Sequence, residues 1–352
     1  MTSARASDAP AGAIHCVIGL AAFVAGCLAL HRLAPWPRME ELAEKLAYFA
    51  RHKDEFDTLF IGSSRIYHGI APQVFDAVVK THSLNLGIDG MNMPESSCFL
   101  EKILEQKPAR LKWVFVELTP FRLSMDENRL ETARGMYWHD WTRMKWIVGE
   151  LWCNARNSRR KFRWAPKRLL QPLNDLDTGV THAGLFLRNM GNVGRGYEMA
   201  DSAAPANSEE FCGVPRFGFL GMGRAEPMGG GELDGYEKKL TEMRARKINP
   251  GDNGWGLRVV TAHASRLIRA AGAEPVFVVA SSVSAPPGEW PGQPKDAPVF
   301  AYHDPDRDEQ FYRVDRRADS GHLNPTGATE FTEQLASDFA KHLSEQRPNA
   351  VR

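Results

Sequence analysis

Short apolar segments that alternate with amphipathic segments constrain the fold of this chain more than any other feature. The apolar segments lie at residues 57–62, 83–87, 113–118 and 275–280, and helical patterns lie at 95–106, 257–271 and 325–343. Near-continuous apolar runs are typical of strands in a parallel sheet that helices cover on both faces. The sequence therefore predicts an α/β domain, built as a three-layer α/β/α sandwich around a parallel sheet.

Chain length allows one such domain with a large addition. The chain has 352 residues, of which 43% are hydrophobic, which suits one large α/β domain or one domain with an insertion. Between residues 121 and 253 the alternation stops, and Trp, Arg, Gly and Asn become frequent. We interpret residues 55–345 as the domain and residues 121–253 as an irregular insertion or elaboration.

Two motifs within this insertion have competing interpretations. Residues 221–235 (GMGRAEPMGGGELDG) contain a G-x-G spacing but follow no predicted strand and open no obvious helix, so a flexible surface loop is favoured over a phosphate-binding loop. Residues 156–168 (RNSRRKFRWAPKR) hold seven basic residues, two aromatic residues and no acid. That composition fits either a solvated face or a surface that meets an anionic lipid or polymer.

An apolar run near the N-terminus predicts contact with membrane lipid. Residues 13–30 (AIHCVIGLAAFVAGCLAL) are apolar except for His15, and this length suits an uncleaved signal-anchor helix after a short tail at 1–12. Residues 24–27 (VAGC) also resemble a lipoprotein box, with Cys27 as the lipidated residue. The run continues past Cys27, which favours the membrane helix.

The segment after the apolar run predicts an amphipathic helix at 39–54 that connects the anchor to the domain. Basic residues on the two sides of the run do not settle its orientation, because Arg5 lies before it while Arg32 and Arg38 follow it.

Composition argues against several other classes of function. The net charge of +1 does not suit a nucleic-acid binder. The five cysteines form no C-x-x-C pair, so a structural zinc site is not expected. Residues 302–308 carry alternating carboxylates like a calcium loop, but Glu309 occupies the position at which that loop requires glycine. We expect no metal and no cofactor.

Two distant motifs hold the candidate catalytic residues. Ser63 and Ser64 follow the first predicted strand, at the end where open α/β sheets bind ligands. Such serines serve either as turn or cap residues or as a nucleophile, and a nucleophile needs a base and a group that orients the base. Asp319 and His322 are three residues apart in a loop, and Pro325 fits the first position of the helix that follows.

Three motifs together resemble the SGNH (GDSL-like) hydrolase superfamily: FIGSSR at 60–65, NLGIDGMN at 85–92 and DSGHLNPTGA at 319–328. The likeness is nearest to the membrane-anchored SGNH-like proteins of bacterial cell-envelope acyl transfer, such as those of alginate O-acetylation and teichoic-acid D-alanylation. It covers residues 55–120 and 255–345.

This resemblance implies a flavodoxin-like fold and a role for each matched residue. Ser64 would be the nucleophile, His322 the general base and Asp319 the acid that orients His322. The backbone N–H groups of Ser64 and Gly90 would form the oxyanion hole.

One departure from the superfamily pattern affects the oxyanion hole. Where the superfamily usually has Gly-x-Asn-Asp after the third strand, this chain has Glu-Leu-Thr-Pro at 117–120. Losing one oxyanion donor typically costs about 10²–10³ in rate. Asn92 and Thr119 are alternative donors. Arg65 is interpreted either as a substrate-binding residue or as a helix-surface arginine, and His68 as a packing or surface residue without an acidic partner.

Three functions fit this pattern. The first is serine-dependent acyl transfer onto an envelope or exported polysaccharide, with a membrane acyltransferase as a further partner. The second is ester hydrolysis by the same residues. The third is a catalytically silent, membrane-tethered polysaccharide-binding or scaffolding protein. The resemblance implies a single-pass protein of the bacterial inner membrane, with its domain on the extracytoplasmic side.

Overall fold

The computed structural model describes residues 9–39, 41–121, 132–160, 171–199, 228–248 and 254–346, with short pieces at 210–211, 214–215, 219 and 221–222. The strands in chain order are β1 (Thr58–Ile61), β2 (Ser83–Asn85), β3 (Trp113–Glu117), β4 (Glu210–Phe211), β5 (Val214–Pro215), β6 (Glu274–Val279) and β7 (Val299–Ala301).

Five strands form one parallel sheet in the order β2-β1-β3-β6-β7, and β4 and β5 form a separate antiparallel pair. In the central ladder Leu59 pairs with Leu84 on one side and with Val114 on the other. The α/β class and the parallel sheet predicted from the sequence are confirmed. The edge strand β7 is an addition that the sequence analysis did not predict, and its three residues are half-buried.

Alternating side chains of the strands supply two hydrophobic cores, one on each face of the sheet. Leu59 and Val114 belong to the first core, whereas Phe60 and Phe115 belong to the second. Because successive side chains of a strand point to opposite faces, a strand with both faces covered must be apolar throughout. This is the physical origin of the near-continuous apolar runs.

The helices in chain order are α1 (Ala9–Leu33), α2 (Glu41–His52), α3 (Ser64–Tyr67), α4 (Pro72–Val79), α5 (Met93–Leu104), α6 (Ala133–Tyr137), α7 (Trp141–Arg160), α8 (Gln171–Gly191), α9 (Gly230–Ala245), α10 (Trp255–Ala270) and α11 (Pro325–Gln346). Helices α2, α5 and α10 contribute to the first core, and α4, α9 and α11 contribute to the second. Half of the twelve residues of α2 are buried, so this helix packs as part of the domain.

The interpretation of residues 121–253 as irregular is wrong for the described part of that region, which contains helices α6 to α9. Helix α7 shows why the helical period of apolar residues in this region was hard to recognise from the sequence. Its inner face carries the buried Ile147, while its outer face carries Val148 and Trp152, which are 59% and 71% exposed. With large apolar side chains on both faces, the helix shows no clear amphipathic pattern.

The interpretation of residues 221–235 as a surface loop is also wrong in part, because α9 begins at Gly230. Three glycines at 229–231 obscured the start of this helix, whose Tyr236 and Met243 are buried in the second core. Most of the basic segment 156–168 lies outside the described residues. Arg156, at its start, is exposed.

Helix α1 contains the apolar run. Within the described residues, one helical span, Gly12–Leu33, has the length and composition needed to cross a membrane, and none of it is buried against the rest of the protein. Twenty-two residues of helix extend about 33 Å, close to the thickness of a hydrocarbon core.

Candidate active site

The turn after β1 places two consecutive serines in different environments. A Cβ at Gly62 would lie 2.4 Å from Ile66 Cγ1 and 2.6 Å from Glu117 Cβ, so only glycine fits between the strand end and α3. Ser63 is buried and caps α3, its Oγ accepting a hydrogen bond from the Arg65 N–H at 3.3 Å. Ser64, the first residue of α3, is half-buried and faces the C-terminal motif.

Ser64, His322 and Asp319 lie in one hydrogen-bonded chain. His322 Nε2 is 2.8 Å from Ser64 Oγ, and His322 Nδ1 is 2.9 Å from Asp319 Oδ2. The structure thus brings together three residues that are up to 258 positions apart in the sequence. This is the order nucleophile, base and orienting acid that a serine needs to become reactive.

The loop before α11 holds the acid and the base in place. Asp319 Oδ1 accepts hydrogen bonds from the backbone N–H groups of Gly321 at 2.6 Å and His322 at 2.9 Å. Asn324 Oδ1 accepts from the Gly327 N–H at 2.9 Å, which caps α11 as expected for an N-cap residue. The carboxylate is therefore fixed by backbone groups as well as by the imidazole.

These hydrogen bonds keep Asp319 ionised. Burial alone would raise the pKa of Asp319, but hydrogen bonds from the His322 side chain and from the Gly321 and His322 backbones outweigh burial and hold the pKa at about 2. An ionised carboxylate only accepts hydrogen bonds, so His322 Nδ1 carries the donated proton. A neutral His322 then presents the lone pair of Nε2 to the Ser64 hydroxyl.

A buried glutamate at the end of β3 supports the serine turn. Glu117 accepts a hydrogen bond from the Ser63 N–H at 2.6 Å and another from Arg65 Nε at 2.6 Å. Arg65 Nη1 also donates to Ser282 Oγ at 3.3 Å. Glu117 thus anchors the backbone next to Ser64.

The loop after β2 lies against α3. A Cβ at Gly87 would lie 2.4 Å from the Tyr67 backbone N, and the buried Lys45 donates a hydrogen bond to the Gly87 carbonyl. Gly90 has a φ of 61°, in the region that favours glycine. This loop is therefore held from two sides, next to the element that carries Ser64.

The expectation that His68 lacks an acidic partner is wrong. His68 is buried, its Nε2 lies 3.0 Å from Asp89 Oδ1, and its ring meets the His322 ring edge-on with centroids 5.6 Å apart. The hydrogen bond from His68 lowers the pKa of Asp89, against the effect of burial. Sequence reasoning missed this pair because its partners lie 21 residues apart on different loops.

Two backbone donors are free for an oxyanion. Among the hydrogen bonds of the described residues, neither the Ser64 N–H nor the Gly90 N–H has an acceptor. Asn92 Oδ1 caps α5 by accepting from the Glu95 N–H at 2.9 Å, which leaves Nδ2 as the donor of this side chain. Thr119 is half-buried after the end of β3.

A cavity of about 510 Å³ opens over Ser64 and His322. Three cations line it, Arg65, Lys239 and Arg246, together with one acid, Glu242. In the part of the chain described, Gly90, Asn92 and Thr119 are not among its lining residues. Sequence reasoning missed the α9 contribution because the start of α9 was interpreted as a loop. The spacing of Tyr236, Leu240 and Met243 was the signal that would have found it.

Among the described residues, no group of three or more His, Cys, Asp or Glu side chains is arranged to bind a metal ion. A scan of the chain against protein-family models finds no match, and neither does a search of curated proteins.

Proposed function

We propose that this protein transfers or hydrolyses an acyl group through an acyl-serine intermediate on Ser64. The observation that carries the proposal is the chain from Ser64 Oγ to His322 Nε2 at 2.8 Å and from His322 Nδ1 to Asp319 Oδ2 at 2.9 Å. A hydroxyl is a weak nucleophile near neutral pH, and this arrangement is the one that activates it.

Each proton transfer in the proposed reaction has a donor and an acceptor at the site. As Ser64 Oγ forms a bond to the acyl carbonyl carbon, His322 Nε2 accepts the hydroxyl proton, and Asp319 stabilises the imidazolium through Nδ1–H. The tetrahedral oxyanion accepts hydrogen bonds from the Ser64 and Gly90 N–H groups. It collapses when the leaving oxygen takes the proton from His322. Water or an acceptor hydroxyl then attacks the carbonyl carbon of the acyl-serine and gives its proton to His322 Nε2. The ester bond to Ser64 breaks as His322 returns that proton to Ser64 Oγ.

The fold supports assignment to the SGNH-like hydrolases as part of this proposal. The strand order β2-β1-β3-β6-β7 equals the order 2-1-3-4-5 of flavodoxin-like sheets when the five strands are counted along the chain. Ser64 follows the carboxyl end of β1, where such sheets bind ligands. The three motifs and the N-terminal apolar helix point to the membrane-anchored members of cell-envelope acyl transfer.

The cavity supports a polar acceptor such as a polysaccharide hydroxyl. Its lining combines the hydroxyls of Ser282, Ser284 and Ser320 with charged side chains. An esterase would use the same residues with water as acceptor, and acceptor choice depends on how well the occupied cavity excludes water. We place the domain on the extracytoplasmic side of a bacterial inner membrane, where envelope polysaccharides and a membrane acyl donor protein are within reach.

The test is a set of variants assayed with an activated acyl ester. Ser64→Ala and His322→Ala should each lower kcat at least about 10³-fold, and the double variant should be scarcely worse, because the two residues act as one unit. Ser63→Ala is the matched control, since it removes the neighbouring hydroxyl and leaves the Ser64–His322 pair intact. Full activity of Ser64→Ala, or loss of activity in Ser63→Ala alone, would refute the proposal.

Glu117 supports a second function, because it occupies the position at which the superfamily has its Gly-x-Asn-Asp motif. A domain that keeps the fold without the third oxyanion donor would bind polysaccharide and not turn over. In that case wild type and Ser64→Ala would bind polysaccharide equally well, and neither would cleave or transfer an acyl group.

A further inference from the structure

The helical hairpin of α7 and α8 carries a large exposed surface that the chemistry at Ser64 does not use. On α7 the residues Trp141, Lys145, Val148, Trp152 and Arg156 are all exposed and follow one another at intervals of three or four residues. Positions at this spacing lie on one face of a helix. The opposite face of α7 is buried and contributes Ile147 to a small core.

Helix α8 has a matching face. Leu176, Val180 and Leu187 are 63%, 63% and 57% exposed, while His182 and Leu185, on the opposite side of the helix, are buried. Trp141 stacks on Phe186 with ring centroids 5.0 Å apart, which joins the two helices at this end. We name the exposed side chains of α7 and α8 together the hairpin face. Exposed apolar side chains in such number mark an interaction surface.

The position of α8 relative to α1 indicates what covers this face. A Cβ at Gly191 would lie 2.8 Å from His31 Cδ2 and 3.4 Å from Leu28 Cδ2, so the end of α8 packs on the last turn of the apolar span. His31 Nε2 lies 2.8 Å from Asn192 Oδ1, and Arg195 Nη1 donates to the His31 carbonyl at 2.6 Å. These contacts fix the hairpin to the end of α1.

If α1 crosses a bilayer, the last turn of α8 lies at the boundary between acyl chains and headgroups. Leu28 and Leu33 are five residues apart, which places the contact about 8 Å inside the end of the span. Met190, in that last turn, is 46% exposed, and Trp36, just beyond the span, is 52% exposed. Amphipathic helices at membrane interfaces bury their apolar face to a similar depth, about 5–10 Å.

The composition of the hairpin face suits a lipid surface. Tryptophan is enriched at membrane–water interfaces, and Trp141 and Trp152 supply it here. Lys145, Arg156 and Arg188 are exposed cations on these helices, and an anionic membrane surface attracts cations that lie close to it. Tryptophans and cations also suit a protein interface, and the contact of α8 with the end of α1 is what favours lipid over a protein partner here.

We propose that the hairpin face lies on the surface of the membrane that α1 crosses, and binds anionic lipid there. The apolar residues enter the interface and the cations meet lipid phosphates. This contact fixes the domain relative to the bilayer at two places, the end of α1 and the hairpin. It depends on α1 crossing the membrane and not on the reaction at Ser64.

The test uses a fluorescent label on single cysteines of the full chain in lipid nanodiscs. Cys16, Cys27, Cys153 and Cys212 are replaced by Ser, while the buried Cys98 is kept. The label is placed through Val148→Cys or Leu187→Cys, both at sites more than half exposed. Glu237→Cys on α9, an exposed site outside the hairpin, is the matched control. A nitroxide near the top of the lipid acyl chain is the quencher.

Several-fold stronger quenching at positions 148 and 187 than at 237 is the expected result. Replacing the anionic lipid by a zwitterionic lipid should weaken the quenching at 148, which lies between Lys145 and Arg156, and so should Lys145→Gln combined with Arg156→Gln. Quenching at 148 and 187 as low as at 237 would overturn the proposal. So would a label whose emission shifts to the blue without quenching by lipid, because that result means that a protein, such as a second copy, covers the face.

Discussion

At the residue scale, the ionised carboxylate of Asp319 is the feature on which the proposed role of His322 as a base depends. Asp319→Asn keeps the shape of the side chain but loses the charge and can present an N–H to the imidazole, which favours the wrong tautomer. We expect kcat to fall by about 10²–10⁴-fold with a smaller change in KM, because the lost interaction acts in the transition state. Steady-state kinetics with an activated ester measure this, and an unchanged kcat would contradict the assigned role.

The same residue predicts an acid dependence of stability. The folded-state pKa of Asp319, about 2, lies below the usual value near 4, so the stabilisation it gives is complete above about pH 4 and is lost as the pH falls through about 2. The difference in melting temperature between wild type and Asp319→Asn should shrink as the pH falls from about 4 towards 2. A difference that stays constant to pH 2 would show that Asp319 gains no such support in the fold.

Part of the site is readable from sequence because its residues lie in local motifs. Asp319 and His322 are three residues apart before a capped helix, and Ser64 follows a strand, so each stands in a recognisable local context. Glu117 and His68 could not be assigned in the same way. Their roles come from Ser63 and Asp89, which approach them only through the packing of β1, β3 and the loop after β2.

At the scale of elements, helix α2 shows how packing overrides a local pattern. Lys45 is 1% exposed, its Nζ lies 3.6 Å from the Tyr67 ring centroid, and it donates to the Gly87 carbonyl. Burial lowers the pKa of Lys45 to about 8, against the attraction of Glu41. Lys45 therefore connects α2 to the loop that carries Gly90.

The variant Lys45→Met tests this contact through the pH dependence of stability. The unfolded chain binds more protons than the folded one between about pH 8 and pH 10.4, because the pKa of Lys45 is depressed only in the fold. Wild-type stability should therefore rise with pH across that window relative to Lys45→Met. Melting temperatures at pH 7, 8, 9 and 10 measure the difference. Lys102→Met, at a half-buried lysine of α5, controls for loss of a cation. A difference that stays flat or falls would contradict the buried charge.

The strands were predictable and the added helices were not, for one physical reason. A strand buried on both faces must be apolar, and β1, β3 and β6 could be recognised from that requirement alone. Helices α7 and α8 carry apolar side chains both on faces packed against the domain and on faces that stay exposed among the described residues. Their sequence pattern therefore reflects two environments. A helix shows a clear amphipathic pattern in its sequence only when one of its faces is buried and the other is polar and exposed.

For the whole molecule, helix α1 predicts that residues 13–30 hold the protein in a membrane, and the proposed function predicts that the domain lies outside the cytoplasm. A phosphatase reporter fused after residue 352 should be active, because the phosphatase folds only after export. The matched fusion is a fluorescent protein that is bright only in the cytoplasm, and it should be dark. A bright fluorescent fusion with an inactive phosphatase would overturn this topology.

Cys27→Ser separates the two modes of attachment. An uncleaved helix that continues past Cys27 to Leu33 should keep the variant in the membrane fraction at its full length. Release into the soluble fraction, or a wild-type protein that begins at a lipidated Cys27, would identify a lipoprotein instead.

Labelling by a serine-directed fluorophosphonate tests the central claim most directly, because the probe reacts only with an activated hydroxyl. Mass spectrometry of the labelled protein should find one adduct, on Ser64. His322→Ala should lose the label, since Ser64 Oγ then has no base, while Ser63→Ala should retain it. An unlabelled wild type, an adduct on another serine, or undiminished labelling in His322→Ala would contradict an active Ser64–His322–Asp319 triad.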